Sequence, residues 1–153
     1  MWHTKAAKQG DAYAQLELGK CYRGGKGVEK NLIKAVRWFL KSSKQGIPYA
    51  EFYLGVCYEN GEGVRKNYLK AVEWYTKAAE QGVPEAQYNL VVFYEYGYGV
   101  EKNQAKALEW CLKAVEQGDD RAQYYLARCY DNGNGVTQVK DPPPPPLSVK
   151  GRI

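Results

Sequence analysis

No run of about 18 apolar residues occurs in the sequence, which excludes a membrane-spanning helix. The opening stretch, MWHTKAAKQG, lacks the apolar core of an export signal. That favours a cytoplasmic location, with secretion or the periplasm as the alternative. Histidine is nearly absent: His3 stands alone, with no partners in the sequence to form a triad or a metal site around it. The serines are Ser42, Ser43 and Ser148. CxxC, HExxH and Walker phosphate-loop patterns are all missing. The expectation is a chain that is not an enzyme and holds neither cofactor nor metal.

Cysteine is scarce, and its placement argues against disulfides. Cys21, Cys57 and Cys129 recur at one slot of a repeat, which Phe93 fills in another copy. A slot that accepts Cys or Phe is an apolar core position. Equivalent positions in stacked helices lie about 8–10 Å apart, beyond the roughly 7 Å that a disulfide spans between Cα atoms. Cys111 stands where other copies carry His3, Phe39 and Tyr75. Only a Cys111–Cys129 bridge remains geometrically open, and reduced, buried thiols are the expectation. Neither charge sign dominates: 22 basic and 17 acidic residues leave a net +5. That balance allows an acidic partner without requiring one.

What the sequence does have is aromatic and apolar material, with 14 tyrosines, four tryptophans and 44% hydrophobic residues, enough for one folded core in 153 residues. It also has a repeat. YRGGKGVEKN begins at Tyr22, YENGEGVRKN at Tyr58, YEYGYGVEKN at Tyr94 and YDNGNGVTQV at Tyr130, each 36 residues after the last. A phosphate-cradling loop occurs once per domain, after a strand. A stretch that comes four times between helical segments is a joint. Three full units run over 10–45, 46–81 and 82–117, preceded by a half-unit at 2–9 and followed by a partial unit at 118–139. Fourteen of the 36 positions are identical in all three full units.

Each unit reads as two helices. In the first, Ala50, Leu54, Cys57 and Tyr58 fall at i, i+4, i+7 and i+8, one face of a helix. Pro48 and Pro84 suit a first turn, where no backbone donor is required. Gly61 and Gly63 supply backbone angles that other residues resist, and Val64 plugs back into the core. Asn31, Asn67 and Asn103 are placed to cap the second helix. That helix buries Ala71, Trp74, Tyr75 and Ala78, and Gly82 ends it, as Gly10, Gly46 and Gly118 end theirs. No unit can cover both apolar faces alone, so units must stack.

The stretch GVPEAQYNL…YEYGYGVEKNQAKALEWCLKAVEQG resembles the Sel-1-like repeat, a relative of the tetratricopeptide repeat with a longer joint. The family's Ala, Leu-Gly and Tyr on the first helix match Ala50, Leu54, Gly55 and Tyr58. Its Gly-x-Gly-Val, Lys-Ala, Trp-Tyr and Ala-Ala-x-x-Gly match Gly61, Gly63, Val64, Lys70, Ala71, Trp74, Tyr75, Ala78, Ala79 and Gly82. Val91 and Ala127 depart from the first-helix glycine, and Asn replaces the usual Asp before the second helix. The resemblance covers residues 2–136. It implies an all-α fold: an α/α solenoid, a right-handed superhelix of 36-residue helix–turn–helix units, serving as a protein–protein scaffold or adaptor. Some cysteine-rich relatives are linked to β-lactam hydrolysis. Here the Ser-x-x-Lys signature and the cysteine pairing of those relatives are both missing, so a hydrolase is the weakest reading.

Positions that change between units separate surface from scaffold. On the first helices they are Tyr13, Glu17 and Lys20; Tyr49, Tyr53 and Val56; Glu85, Asn89 and Val92; and Arg121, Tyr125 and Arg128. Each trio follows i, i+4, i+7, and the resemblance implies that first helices line the concave face. The expectation is a groove for a peptide or partner protein, polar at its ends and aromatic at its centre. On the second helices, lysine columns at Lys34, Lys70 and Lys106 and at Lys5, Lys41, Lys77 and Lys113 interleave with Glu73, Glu80, Glu109 and Glu116. Such a face reads as solvated, with i, i+4 pairs from Glu73 to Lys77 and Glu109 to Lys113, rather than as a nucleic-acid track. The last first helix carries Tyr124, Leu126, Cys129 and Tyr130 with no helix expected after it. The proline-rich tail at 140–153 favours an extended rod of about 15 Å. Self-association through the open solenoid ends or the tail is the alternative role.

Overall fold

The computed structural model describes residues 2–131, which form eight helices and, among those residues, no strand. Residues 132–139 and the proline-rich stretch 140–153 lie outside the described residues. In chain order the helices are α1 (Trp2–Lys8), α2 (Ala12–Gly24), α3 (Leu32–Lys44), α4 (Pro48–Asn60), α5 (Tyr68–Glu80), α6 (Pro84–Tyr96), α7 (Gln104–Glu116) and α8 (Asp120–Asp131). The main helix–helix contacts join neighbours in the chain, from α1 on α2 through to α7 on α8. That nearest-neighbour pattern is what makes a solenoid.

Each unit closes its joint in the same way. Gly25, Gly61 and Gly97 are left-handed at the ends of α2, α4 and α6, and their N–H groups donate to the carbonyls of Cys21, Cys57 and Phe93. The backbone N–H groups of Asn31, Asn67 and Asn103 then donate to the carbonyls of Tyr22, Tyr58 and Tyr94 at 2.9, 2.9 and 3.0 Å. The side chains of the same asparagines accept from Lys34, Lys70 and Lys106 N–H at 3.0 Å, capping the second helices. The second joint glycine has a further reason to be glycine. A Cβ on Gly63 would meet the Leu32 carbonyl oxygen at 2.4 Å, and one on Gly99 would meet the Tyr68 backbone at 2.5 Å. The joint of one unit therefore rests on the first turn of the preceding unit's second helix.

The core runs along the stack as a column of residues eighteen apart. It begins at His3 and Cys21, whose Nε2 and Sγ lie 3.3 Å apart. Phe39 and Cys57 share one buried cluster, Tyr75 and Phe93 meet edge-on at 5.7 Å in the next, and Cys111 and Cys129 lie in a third. All four cysteines are free. The glycine before this column is set by the ring it faces: a Cβ on Gly19 would meet Phe39 at 2.6 Å, and one on Gly55 would meet Tyr75 at 2.5 Å. Where Cys111 replaces the ring, Val91 takes the glycine's place, and the two lie in one cluster. The departure at Val91 is thus volume exchange between facing positions.

The invariant glutamines at the unit ends tie helices together. Gln45 Nε2 donates to Gln15 Oε1 and Gln117 Nε2 to Gln87 Oε1, each at 2.9 Å. Gln15 and Gln87 in turn donate to the carbonyls of Ala7 and Ala79. In the middle unit Gln81 donates to Glu51, which has no proton to pass on. Burial consequently pushes the Glu51 carboxyl above its ordinary range, against the pull of Lys77 and the Gln81 bond.

Candidate functional site

The variable positions of the first helices do not all reach the surface. Tyr13 is 68% exposed and Tyr49 38%; Glu17 is exposed, and Lys20, Tyr53, Glu85, Arg121 and Arg128 are half-buried. Val56, Asn89 and Val92 are fully buried, and Tyr125 is 5% exposed. The reading of these four as groove lining is corrected by their burial. Val56 lies in the cluster built around Tyr75 and Phe93, and Val92 and Tyr125 lie in the one around Cys111. Asn89 hydrogen-bonds the Tyr75 hydroxyl, which donates to Glu59 Oε1 at 2.5 Å. Burial, followed by the Glu59 charge, lifts Tyr75 well above its ordinary value, and burial lifts Glu59 as well. These positions vary between units because the core repacks, not because solvent relaxes the constraint.

Four of the accessible residues, Glu17, Lys20, Tyr49 and Tyr53, line depressions at the junction of α2 and α4. One depression of about 280 Å³ is lined by Leu16, Glu17, Lys20, Tyr49 and Tyr53. A second, of about 270 Å³, is lined by Lys20, Arg23, Gly24, Gly25, Lys26 and Tyr53. The two share Lys20 and Tyr53. Tyr53 is held by stacking on Phe39 at 5.2 Å and 12° and by an edge contact with Phe52, so its ring presents a fixed apolar wall. Lys20 sits 5.8 Å from that ring and 3.4 Å from Glu17. Arg23 is held by Glu62 of the next joint at 2.9 Å.

Toward the other end, α4 is tied to α6 and α6 to α8. Tyr49 donates to Glu85 at 2.9 Å and Tyr125 to Glu95 at 2.6 Å. Arg121 lies 4.7 Å from the Tyr88 ring and is paired with Asp119. Burial pushes Asp119 up, but the bonds from Arg121 and the Ala122 backbone outweigh it and hold the carboxyl low. The first-helix side of the stack therefore has basic and aromatic residues at α2–α4 and mutually paired residues at α6–α8. Sequence comparison between units missed Arg23, in the last turn of α2, and Lys26, in the joint.

The second-helix lysines also pair differently from the sequence expectation. Lys41, Lys77 and Lys113 sit over the rings of Trp38, Trp74 and Trp110 at 4.5–4.7 Å. Lys34, Lys70 and Lys106 sit over Tyr22, Tyr58 and Tyr94 at 5.4–5.5 Å. Among the described residues no ion pair joins Glu73 to Lys77 or Glu109 to Lys113. Ring contact rather than charge pairing accounts for the invariance of both columns.

No group of three or more His, Cys, Asp or Glu side chains among the described residues lies where it could hold a metal, and none of the described helices is long and apolar enough to cross a membrane. Burial drives the Cys57 and Cys111 thiols up to about 12, which keeps them protonated and unreactive at neutral pH.

A stack of helix pairs with glycine joints defines a helical-repeat protein. The chain belongs to the Sel1 repeat family, whose pattern matches residues 1–11, 12–47, 48–83, 84–119 and 120–143. The family commonly serves as a protein-interaction scaffold. The crystal structure of c5321, a protective antigen present in uropathogenic Escherichia coli strains, is 44% identical with a TM-score of 0.85 over 89% of this chain. The match spans only 29% of the c5321 chain. A Sel1 repeat protein from Oxalobacter formigenes is 40% identical, with a TM-score of 0.75 over 82% of this chain and 94% of its own. Helicobacter pylori cysteine rich protein B is 25% identical, with a TM-score of 0.65 over 80% of this chain and 88% of its own. No curated protein sequence matches the chain.

Proposed function

We propose that the protein is a non-catalytic scaffold that holds an extended peptide or a partner's loop across its first-helix face, anchored at the α2–α4 depression. The observation that carries this reading is the pair of adjoining depressions that share Lys20 and the fixed ring of Tyr53. A rigid aromatic wall beside cations suits a peptide with an apolar side chain and a neighbouring carboxylate. Binding requires no bond chemistry. The four free thiols, two of them held protonated by burial, support a reducing, cytoplasmic setting.

The test is selection of a displayed random-peptide library on the wild-type protein, followed by affinity measurement on Lys20→Ala and Tyr49→Ala. Both side chains are at least partly exposed, so the variants leave the core intact. Selected peptides should lose about tenfold or more in affinity on these variants. Failure to select any peptide, or equal binding to the variants, overturns the reading. Nitrocefin turnover by the purified protein would revive the hydrolase alternative.

Self-association is a second reading, favoured by the exposure of Tyr124 (62%) and Tyr130 (67%) on α8. Two large exposed rings on the last described helix offer surface for another copy. Sedimentation should then give a mass that rises with concentration, and a strictly monomeric mass at high micromolar concentration rejects it.

A further inference from the structure

The exposed charges of α5 and α7 alternate in sign: Lys70, Glu73, Lys77, Glu80 in one and Lys106, Glu109, Lys113, Glu116 in the other. The same four positions of α3 read Lys34, Arg37, Lys41 and Lys44, all exposed. The first unit has replaced both carboxylates by cations. Two adjoining depressions lie on this face, of about 390 and 280 Å³, and they share Tyr22 and Lys34. Lys30 lines one of them; Lys8 of α1, Arg37 and Lys41 line the other, and Glu29 is the single carboxylate among the lining residues. Among the described residues none of these cations enters an ion pair with a carboxylate. The rings of Tyr22 and Trp38 hold Lys34 and Lys41 in place without neutralising them.

We propose that this face of the first unit is a docking site for an acidic segment of a partner protein, separate from the first-helix groove. Lys34 to Lys44 covers about 15 Å along the helix at 1.5 Å per residue. An extended chain of about five residues at 3.3 Å each runs the same distance. Carboxylates at alternate positions would face the cations, and an apolar residue in place of one of them would rest on Trp38. A nucleic acid strand would continue along the stack and meet Glu73 and Glu80, then Glu109 and Glu116. The confinement of the patch to one unit therefore favours a short acidic peptide.

The test uses a fluorescein-labelled peptide of eight glutamates with one central leucine, read by fluorescence anisotropy against the full chain. The variant Arg37→Glu/Lys44→Glu gives α3 the charge pattern with which α5 and α7 already fold, so loss of folding does not obscure the result. It should weaken binding by about fivefold or more, while Leu112→Ala, exposed on α7, leaves the affinity unchanged. The reciprocal variant Glu73→Arg/Glu80→Lys on α5 should strengthen binding. The proposal is overturned if the wild type does not bind the peptide or if Arg37→Glu/Lys44→Glu costs less than about fivefold. Tighter binding of a twelve-nucleotide oligothymidine or of phosphatidylserine vesicles than of the peptide also overturns it.

Discussion

Single side chains in this protein are constrained by the partner they face more than by the face they occupy. Glu51 stands where the other units have Gln15 and Gln87, and it lacks the proton they donate to a backbone carbonyl. Burial raises its carboxyl above the ordinary 4.5, so the native state takes up a proton there more readily than the unfolded chain does. The stabilising contribution is fully present in acid, below the ordinary value, and is lost as pH rises through the raised native value. Glu51→Gln should therefore stabilise the protein by about 1 kcal/mol at pH 7, and less at pH 4; thermal melts at the two pH values check this. Facing volumes give a second prediction. Cys111→Tyr should crowd Val91 and cost about 1–3 kcal/mol, and Val91→Gly added to it should recover part of the loss, a coupling that a double-mutant cycle in urea measures. The thiols give a third. Ellman's reagent should modify half-buried Cys21 in the native protein, and Cys57 and Cys111 only after unfolding. The residue level was also where sequence reading was weakest. Val56, Asn89 and Val92 vary between units as surface positions do, yet they are buried. Variation tolerated by solvent and variation absorbed by repacking look alike in one sequence.

At the scale of the element, nearly everything was legible. The 36-residue spacing, the proline starts, the asparagine caps and the glycine joints set helix bounds that the structure reproduces. These signals are local: a cap or a left-handed glycine depends on its own few residues. What the local pattern did not carry was contact across the joint. Gly63 reads as a turn residue, but its missing side chain also makes room for the Leu32 carbonyl of the previous unit. Gly63→Ala should accordingly cost about 2–4 kcal/mol, from a left-handed backbone and a backbone clash together. Gly46→Ala meets nothing within 4 Å and should cost only about 1–2 kcal/mol. Equal losses for the two in chemical denaturation would contradict the inter-unit role of the joint.

For the whole molecule, stacking explains why one invariant scaffold carries different surfaces. The invariant positions build the column, the joints and the glutamine ties, and each unit is then free to present its own charges. The first unit uses that freedom most: its first helix bounds the Lys20–Tyr53 depression, and the exposed charges of its second helix are all basic. The sequence indicated the solenoid and led to the expectation of a groove along all four first helices, polar at its ends and aromatic at its centre. Two adjoining depressions lie at α2 and α4, while toward α8 the tyrosines and arginines are engaged by Glu95, Asp119 and Tyr88. The central claim is that a peptide occupies this depression. Amide chemical-shift mapping of the isotope-labelled protein, titrated with a peptide selected on it, tests that most directly. The account predicts that the largest changes fall on Glu17, Lys20, Tyr49, Tyr53 and Lys26. Changes centred on α3 beside Trp38, or on Tyr124 and Tyr130 of α8, would contradict it.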